Sequence, residues 1–410
     1  MSNIESAYTP LNIGPLTLRN RFIKAATNEG MAKGGLVSKG LAAFHERRAA
    51  GGAAMPTVAY CAPSMDGRAW VHQAVLTPDS RADFRALTDA VHRHGAAASA
   101  QITHAGSFTF LDKNTLQTNR PLSSSGGFNK VGVMSGRYFK KAMTRAEMDA
   151  IAQEFVDAAI EAREGGFDAV ELHMGHGYLL SQFVSPIYNR RRDAYGGTIE
   201  KRMTFPGEIL SRVLDAVGKD MAVLVKYSMT DGPKGNQIRE GIKVAQLLES
   251  TGAHMAVLSN GLNVESISAM FGSNLPKPSK SSSPNPIIAL GMWIQSMTEP
   301  KAVTFRENYL RELAQQVRAS VAMPLAYLGG VQSAAGVEAA MTDGFDAIAM
   351  GRALVFDAAL INQMQSGAVE VSGCTACNRC VTMMYTPGGT SCILSKNGMD
   401  PALNRQRAAA

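Results

Sequence analysis

The sequence predicts an α/β fold: a (β/α)8 or TIM barrel with a short C-terminal cysteine-containing extension. Three observations predict it. Eight short runs rich in Val, Ala, Ile and Leu recur along the chain, the composition of strands buried on both faces. Longer amphipathic stretches lie between most of them, so strands and helices alternate. A weak repeat marks the helix-to-strand junction: GGFDAVEL (Gly165–Leu172) and DGFDAIAM (Asp343–Met350) match closely, and TGAHMAVL (Thr251–Leu258) loosely. Repeated helix–turn–strand units with eight strands close into a barrel. An open doubly wound dinucleotide-binding sheet fits less well, because no G-x-G-x-x-G opens a helix after a strand.

The predicted strands are, in order, Arg21–Thr27, Ala53–Tyr60, Ala96–Ile102, Asp168–His173, Ala222–Ser228, Ala253–Ser259, Pro324–Gly330 and Ala347–Ala353. The clearest helix is Arg145–Glu164. Thr144 is its expected N-cap, with Glu147 completing a capping box, and Gly165-Gly166 ends it. Phe271–Pro286, rich in Ser, Pro and Lys, reads as a mobile loop over the barrel mouth. The chain divides into a barrel, residues 1–365, and a cysteine-bearing extension, residues 366–410, whose end NRQRAAA reads as a frayed tail.

Composition narrows the function. With 45% apolar and 18% charged residues in 410, wholesale disorder is excluded. The formal charge is 41 − 34 = +7, scattered without long runs. That favours a surface biased toward anionic small molecules over nucleic-acid binding. No apolar stretch approaches the roughly 20 residues that span a bilayer. The N-terminus lacks a basic region followed by an apolar one, so no secretory signal is read. A cytoplasmic protein with no membrane or nucleic-acid partner is expected, and self-association into a homo-oligomer is left open.

Reactive groups of a barrel sit at the C-terminal ends of its strands. After the fourth strand stand His173, His176 and Tyr178. Two imidazoles so spaced could bind a metal, but no third ligand stands at usable spacing. They could instead donate two hydrogen bonds to one carbonyl oxygen. Tyr178 would be a neutral proton donor beside them. The bland alternative is a pair of satisfied loop histidines.

The stretch His173–Gly197 resembles the old yellow enzyme family of flavin-dependent ene-reductases. That family reads H-x-x-[HN]-G-Y-L, Q-F-x-S-P, N-x-R-x-D and Y-G-G, matched here by His173–Leu179, Gln182–Pro186, Asn189–Asp193 and Tyr195–Gly197. The resemblance runs from Pro15–Phe22 to Gly351–Asp357. It implies one FMN at the barrel mouth, reduced by NAD(P)H. The implied substrate is an α,β-unsaturated carbonyl compound, held by His173 and His176 and protonated by Tyr178. Gln101 matches the glutamine on the flavin's pyrimidine edge. Ala25, Ala26, Thr27 and Asn28 occupy the first-strand end, where the family's Pro and Met are missing. Ala59 matches a small residue packed on the ring. Lys226 stands where the family usually carries Arg, near N1 and O2 of the flavin. Gly329, Gly330, Gly351 and Arg352 match the phosphate site.

Four of the five cysteines, Cys374, Cys377, Cys380 and Cys392, give C-x2-C-x2-C-x11-C. Such spacing suits a [4Fe–4S] cluster or a structural zinc, and free thiols remain a third reading. Cys61 reads as a buried apolar residue. The pattern resembles the trimethylamine dehydrogenase and 2,4-dienoyl-CoA reductase branch of the same family. The downstream nucleotide-binding domains of that branch are not expected, because the chain ends about eighteen residues after Cys392. Asn28 replaces the cysteine that bonds FMN in trimethylamine dehydrogenase, so FMN is expected to be non-covalent. The resemblance leaves two rivals: a cluster-linked amine dehydrogenase or demethylase serving an external acceptor, and a flavin-binding electron-transfer protein without turnover.

Overall fold

The computed structural model describes residues 3–111, 116, 120–276, 302–384, 386 and 388–395. Eight parallel strands form its centre: β1 (Phe22–Lys24), β2 (Met55–Ala62), β3 (Ser99–Ile102), β4 (Ala169–Met174), β5 (Ala222–Ser228), β6 (Met255–Ser259), β7 (Leu325–Tyr327) and β8 (Ala347–Met350). Each pairs with the next in sequence, and β8 pairs back onto β1, so the sheet closes into a barrel. Between successive strands run α1 (Lys39–Ala50), α2 (Arg81–His92), α3 (Arg145–Glu164), α4 (Thr204–Val217), α5 (Ile238–Thr251), α6 (Arg311–Arg318) and α7 (Ala334–Thr342); α8 (Leu360–Gln365) follows β8.

All eight predicted runs overlap a barrel strand, β2 and β4 continuing past theirs to Ala62 and Met174, and α3 has the predicted ends. Thr144 Oγ1 accepts from the Glu147 N–H, and Glu147 Oε2 accepts from the Thr144 N–H at 2.9 Å. Three strands stop short of their apolar runs, β8 at Met350 among them. β1 ends at Lys24 and β7 at Tyr327, so Ala25–Asn28 and Gly329-Gly330 lie in loops at the barrel mouth.

Side-chain alternation sorts each strand into two faces. Ala169, Leu224, Val257 and Ala347 pack together inside the barrel, where the hairpin Leu11–Ile13/Leu16–Leu18 joins them as a plug. Val170, Val223, Val225 and Tyr227 face outward into the larger core under the helices. By the same alternation Gln101, Glu171, His173 and Lys226 point inward.

The extension packs on the barrel's C-terminal loops. The Ser372 N–H donates to Gln332 O at 2.8 Å, and the Thr390 N–H donates to Glu29 O at 2.7 Å. The Thr390 hydroxyl also donates to Asn28 O at 2.6 Å. Gly30, at φ +63°, has Met384 O where a Cβ would lie, so a side chain is excluded there. Phe271–Pro276 is described, with a short helix ending at Phe271; the rest of the expected Ser/Pro/Lys loop and the NRQRAAA tail lie outside the described residues. Among the described residues no helix is long and apolar enough to cross a membrane.

Candidate active site

His173, at the end of β4, is almost fully buried. Its Nδ1 faces the Gly175 N–H at 3.4 Å, and its Nε2 has no hydrogen-bond partner among the described residues. His176 lies in the turn that follows, at φ +63°. The two rings are 4.9 Å apart and nearly perpendicular, so the structure brings the predicted pair together. His176 Nε2 sits 2.7 Å from Ser259 Oγ on β6. Burial and the nearby Lys226 ammonium hold both imidazoles well below their usual pKa, so they are neutral near pH 7. A neutral imidazole offers one N–H donor and one acceptor, and the Ser259 hydroxyl, able to donate or accept, pairs with Nε2 of His176 in either tautomer.

Tyr178 leads into a short helix, Leu179–Val184, with its ring 4.9 Å from His173. Burial is the main cause that raises its phenol well above the usual pKa; a hydrogen bond with Tyr60 adds to this and one with Asn263 opposes it. The group is therefore a neutral O–H donor. Tyr60 and Phe108 flank it at 5.1 and 5.3 Å, and Trp70 stacks on Phe110 at 4.3 Å. Tyr178, Tyr60, Trp70 and Phe108 form with Ala69 and Ala105 a small apolar cluster separate from both cores. It makes an aromatic wall beside the histidines. Gly177, at φ +86°, leaves room for the Tyr188 hydroxyl, which donates to Glu265 Oε2 at 2.5 Å.

Deeper inside the barrel, Gln101 Nε2 donates to Glu171 Oε1 at 2.6 Å while Gln101 Oε1 has no partner among the described residues. Lys226 faces inward, and its Nζ donates to Ala26 O at 3.2 Å. Ala25 and Ala26 are buried at this mouth, as is Ala59 on β2.

Thr27 is drawn into a network that sequence reading missed. Lys24 Nζ contacts Glu29 Oε1 at 2.5 Å and Thr27 Oγ1 at 2.9 Å. The Thr27 hydroxyl donates to Glu29 Oε1 at 2.8 Å, and Glu29 Oε2 accepts the Ala59 N–H at 2.7 Å. Lys24 and Glu29 are both essentially inaccessible, and His45 of α1 lies 3.6 Å from Glu29. The pair ties the first-strand loop to β2 where the family's Pro is absent. Removing one partner of a buried pair leaves an uncompensated charge and costs about 3–5 kcal/mol, whereas an apolar pair of similar volume is often neutral. Glu29→Ala should therefore lower the urea midpoint strongly, and Lys24→Met/Glu29→Leu should recover most of the loss. A double variant weaker than Glu29→Ala would contradict this account.

At the other side of the mouth, the Gly330 and Gly351 N–H groups donate no hydrogen bond among the described residues. Gly329 packs over the Tyr327 ring. Arg352 bridges the extension and the segment after β6: Nη1 donates to Asn378 Oδ1 at 2.5 Å and Nη2 to Phe271 O at 2.7 Å. Asn378 is itself buried and donates to Ser273 Oγ at 2.9 Å. Cys374, Cys377, Cys380 and Cys392 line one hollow of about 300 Å³, open mouth included, with Arg352 in its wall. Burial raises the Cys380 thiol to about 12 and also raises Cys374, with Arg352 opposing both. Among the described residues no three His, Cys, Asp or Glu groups converge as ligands of a single ion.

A family model for NADH:flavin oxidoreductase / NADH oxidase proteins matches residues 6–370. The chain is 39% identical over 393 residues to 4,4'-dithiodibutanoate disulfide reductase of Rhodococcus erythropolis, covering 95% of each. It covers only 52 to 54% of several other curated relatives, about half their length. The structure of a 2-naphthoyl-CoA reductase complex superposes with a TM-score of 0.80 at 22% identity, over 97% of this chain and 58% of that one. An old yellow enzyme homologue from Zymomonas mobilis superposes with a TM-score of 0.69 at 20% identity, over 90% and 94%.

Proposed function

Because the chain belongs to the NADH:flavin oxidoreductase / NADH oxidase family, we propose that it is an FMN-dependent reductase of the old yellow enzyme type, using NAD(P)H to reduce the C=C bond of an α,β-unsaturated carbonyl compound. The observation that carries this reading is the His173 Nε2, without a partner among the described residues, set beside His176 and Tyr178 at the barrel mouth.

The residues present fit a non-covalent FMN. Gln101 Oε1 is a buried acceptor without a partner, suited to a ring N–H, and Lys226 supplies a buried cation. Ala25, Ala26 and Ala59 are small buried residues at this mouth, with Asn28 beside them, and Thr27 holds their loop through Glu29. The N–H groups of Gly330 and Gly351, without a partner among the described residues, suit a phosphate, with Gly329 and Arg352 alongside. When bound, the flavin supplies two-electron transfer between nicotinamide and acceptor.

The chain's own residues do the rest. His173 and His176, kept neutral by burial, hold the substrate carbonyl oxygen and stabilise the charge that grows there. Tyr178 gives its proton to the α-carbon. Tyr60, Phe108 and Trp70 exclude water, which strengthens those hydrogen bonds. The Rhodococcus relative is named for reducing a disulfide, and an S–S bond, which takes two electrons and two protons to give two thiols, is a second acceptor for this site. NAD(P)H-driven turnover of cyclohexenone and of 4,4'-dithiodibutanoate separates the two. Turnover of neither, with FMN bound, would contradict both and favour the amine dehydrogenase reading.

We also propose that residues 1–365 act as the flavin barrel and that the extension holds a [4Fe–4S] cluster. Four thiols spaced C-x2-C-x2-C-x11-C that line one hollow are the ligand set a cluster needs. Cys377→Ala should abolish iron binding, about four atoms per chain by that ligand count, and leave enone reduction largely intact. Loss of enone reduction with FMN retained would place the cluster on the electron path.

A further inference from the structure

We propose that Glu171 is a positioning residue for the flavin: it sets the orientation of the Gln101 amide and offsets the charge of Lys226, so that the reduction equilibrium of bound FMN depends on it. The inference rests on the FMN reading above.

Glu171 lies on the inner face of β4, two residues before His173, and is 2% exposed. It stands directly opposite Gln101 on β3 in the strand register. A buried glutamine amide can be turned either way, presenting its oxygen or its nitrogen. Here the carboxylate takes the nitrogen at 2.6 Å. The oxygen is left facing the mouth as an acceptor, without a partner among the described residues. Only a donor can satisfy it, so Glu171 dictates that the ring edge placed there presents an N–H.

Glu171 also has a neighbour of opposite charge. On β5 Lys226 is paired in register with His173, one inward step above Glu171. It is 4% exposed, and its ammonium donates only to Ala26 O among the described residues. Burial favours the neutral form of each and their mutual attraction favours the charged pair; as charges on adjacent strands they act in opposite senses on anything bound above them. Two-electron reduction of a flavin to its anionic form adds negative charge. Lys226 favours that form and Glu171 opposes it.

A purely packing role would not give opposite signs, which is what the experiment reads. The midpoint potential of FMN is measured by spectroelectrochemistry in the whole chain and in Glu171→Gln, Lys226→Met and the double variant. Glu171→Gln should shift the reduced-to-oxidised ratio toward reduced flavin by about tenfold, 29.6 mV for a two-electron couple. Lys226→Met should shift it the other way by a similar factor, and the double variant should fall between. A Glu171→Gln shift below about threefold, or in the same direction as Lys226→Met, overturns the proposal. If Lys226→Met does not fold, the near-isosteric Glu171→Gln decides alone. A wild-type chain that takes up no FMN overturns the flavin reading as well, whereas normal uptake with unmoved potentials overturns the role of Glu171 only.

Discussion

Replacing His173 and His176 together with alanine should lower enone turnover by at least about 10²–10³, the loss typical of a single oxyanion donor, while FMN stays bound. The rings sit 4.9 Å apart at the mouth and are neutral, so both are built to donate rather than to carry charge. Their loss removes stabilisation that is needed only as charge grows on the oxygen, so kcat should fall more than the substrate affinity. Neither histidine supplies the expected flavin contacts of Gln101, Lys226 or the glycines. FMN retention separates a catalytic loss from a folding defect. Unchanged enone turnover in the double variant would remove the histidines from the mechanism.

Acid should destabilise the fold steeply. Burial lowers His45 and His104 to about 4, and holds His173 and His176 well below 6.5. In the unfolded chain each titrates near 6.5. Below that pH the unfolded state takes up protons that the folded state refuses. Stability is therefore full above about pH 7 and lost as pH falls toward 4. Each histidine contributes a slope of up to about 1.4 kcal/mol per pH unit, and four together about 5. Urea unfolding at fixed FMN concentration from pH 7 to pH 5 reads this directly. A midpoint that stays level across that range would show that these imidazoles are not buried neutral.

The barrel was legible because its signals are local. A capping box and a Gly-Gly stop define Arg145–Glu164, and apolar runs define strands buried on both faces. The central site residues were legible through strand ends: His173, His176 and Tyr178 share one turn, and Gln101 and Lys226 sit on inward faces. What was missed depends on partners far apart in sequence. Ser259 orders His176, Tyr60 and Asn263 bond Tyr178, and Glu171 turns Gln101. None carries a signal of its own, because one polar residue in an apolar run does not reveal its partner. Lys24 and Glu29 were hidden likewise, and their pair explains how the Ala25–Asn28 loop is held without proline. Arg352 shows the reverse case: its strand-end position was legible, but its guanidinium bonds to Phe271 after β6 and to Asn378 of an extension whose path no periodicity announces.

The central claim is that a flavin at this barrel mouth passes electrons from NAD(P)H to an acceptor held by His173, His176 and Tyr178. The most direct test is the visible spectrum of the FMN-loaded chain under anaerobic conditions, first with one equivalent of NAD(P)H and then with cyclohexenone. The account predicts that the flavin band bleaches with NAD(P)H and returns with the enone, and that in His173→Ala/His176→Ala it bleaches but returns far more slowly. A band that NAD(P)H leaves unbleached, or that returns equally fast in the wild type and the variant, would contradict it.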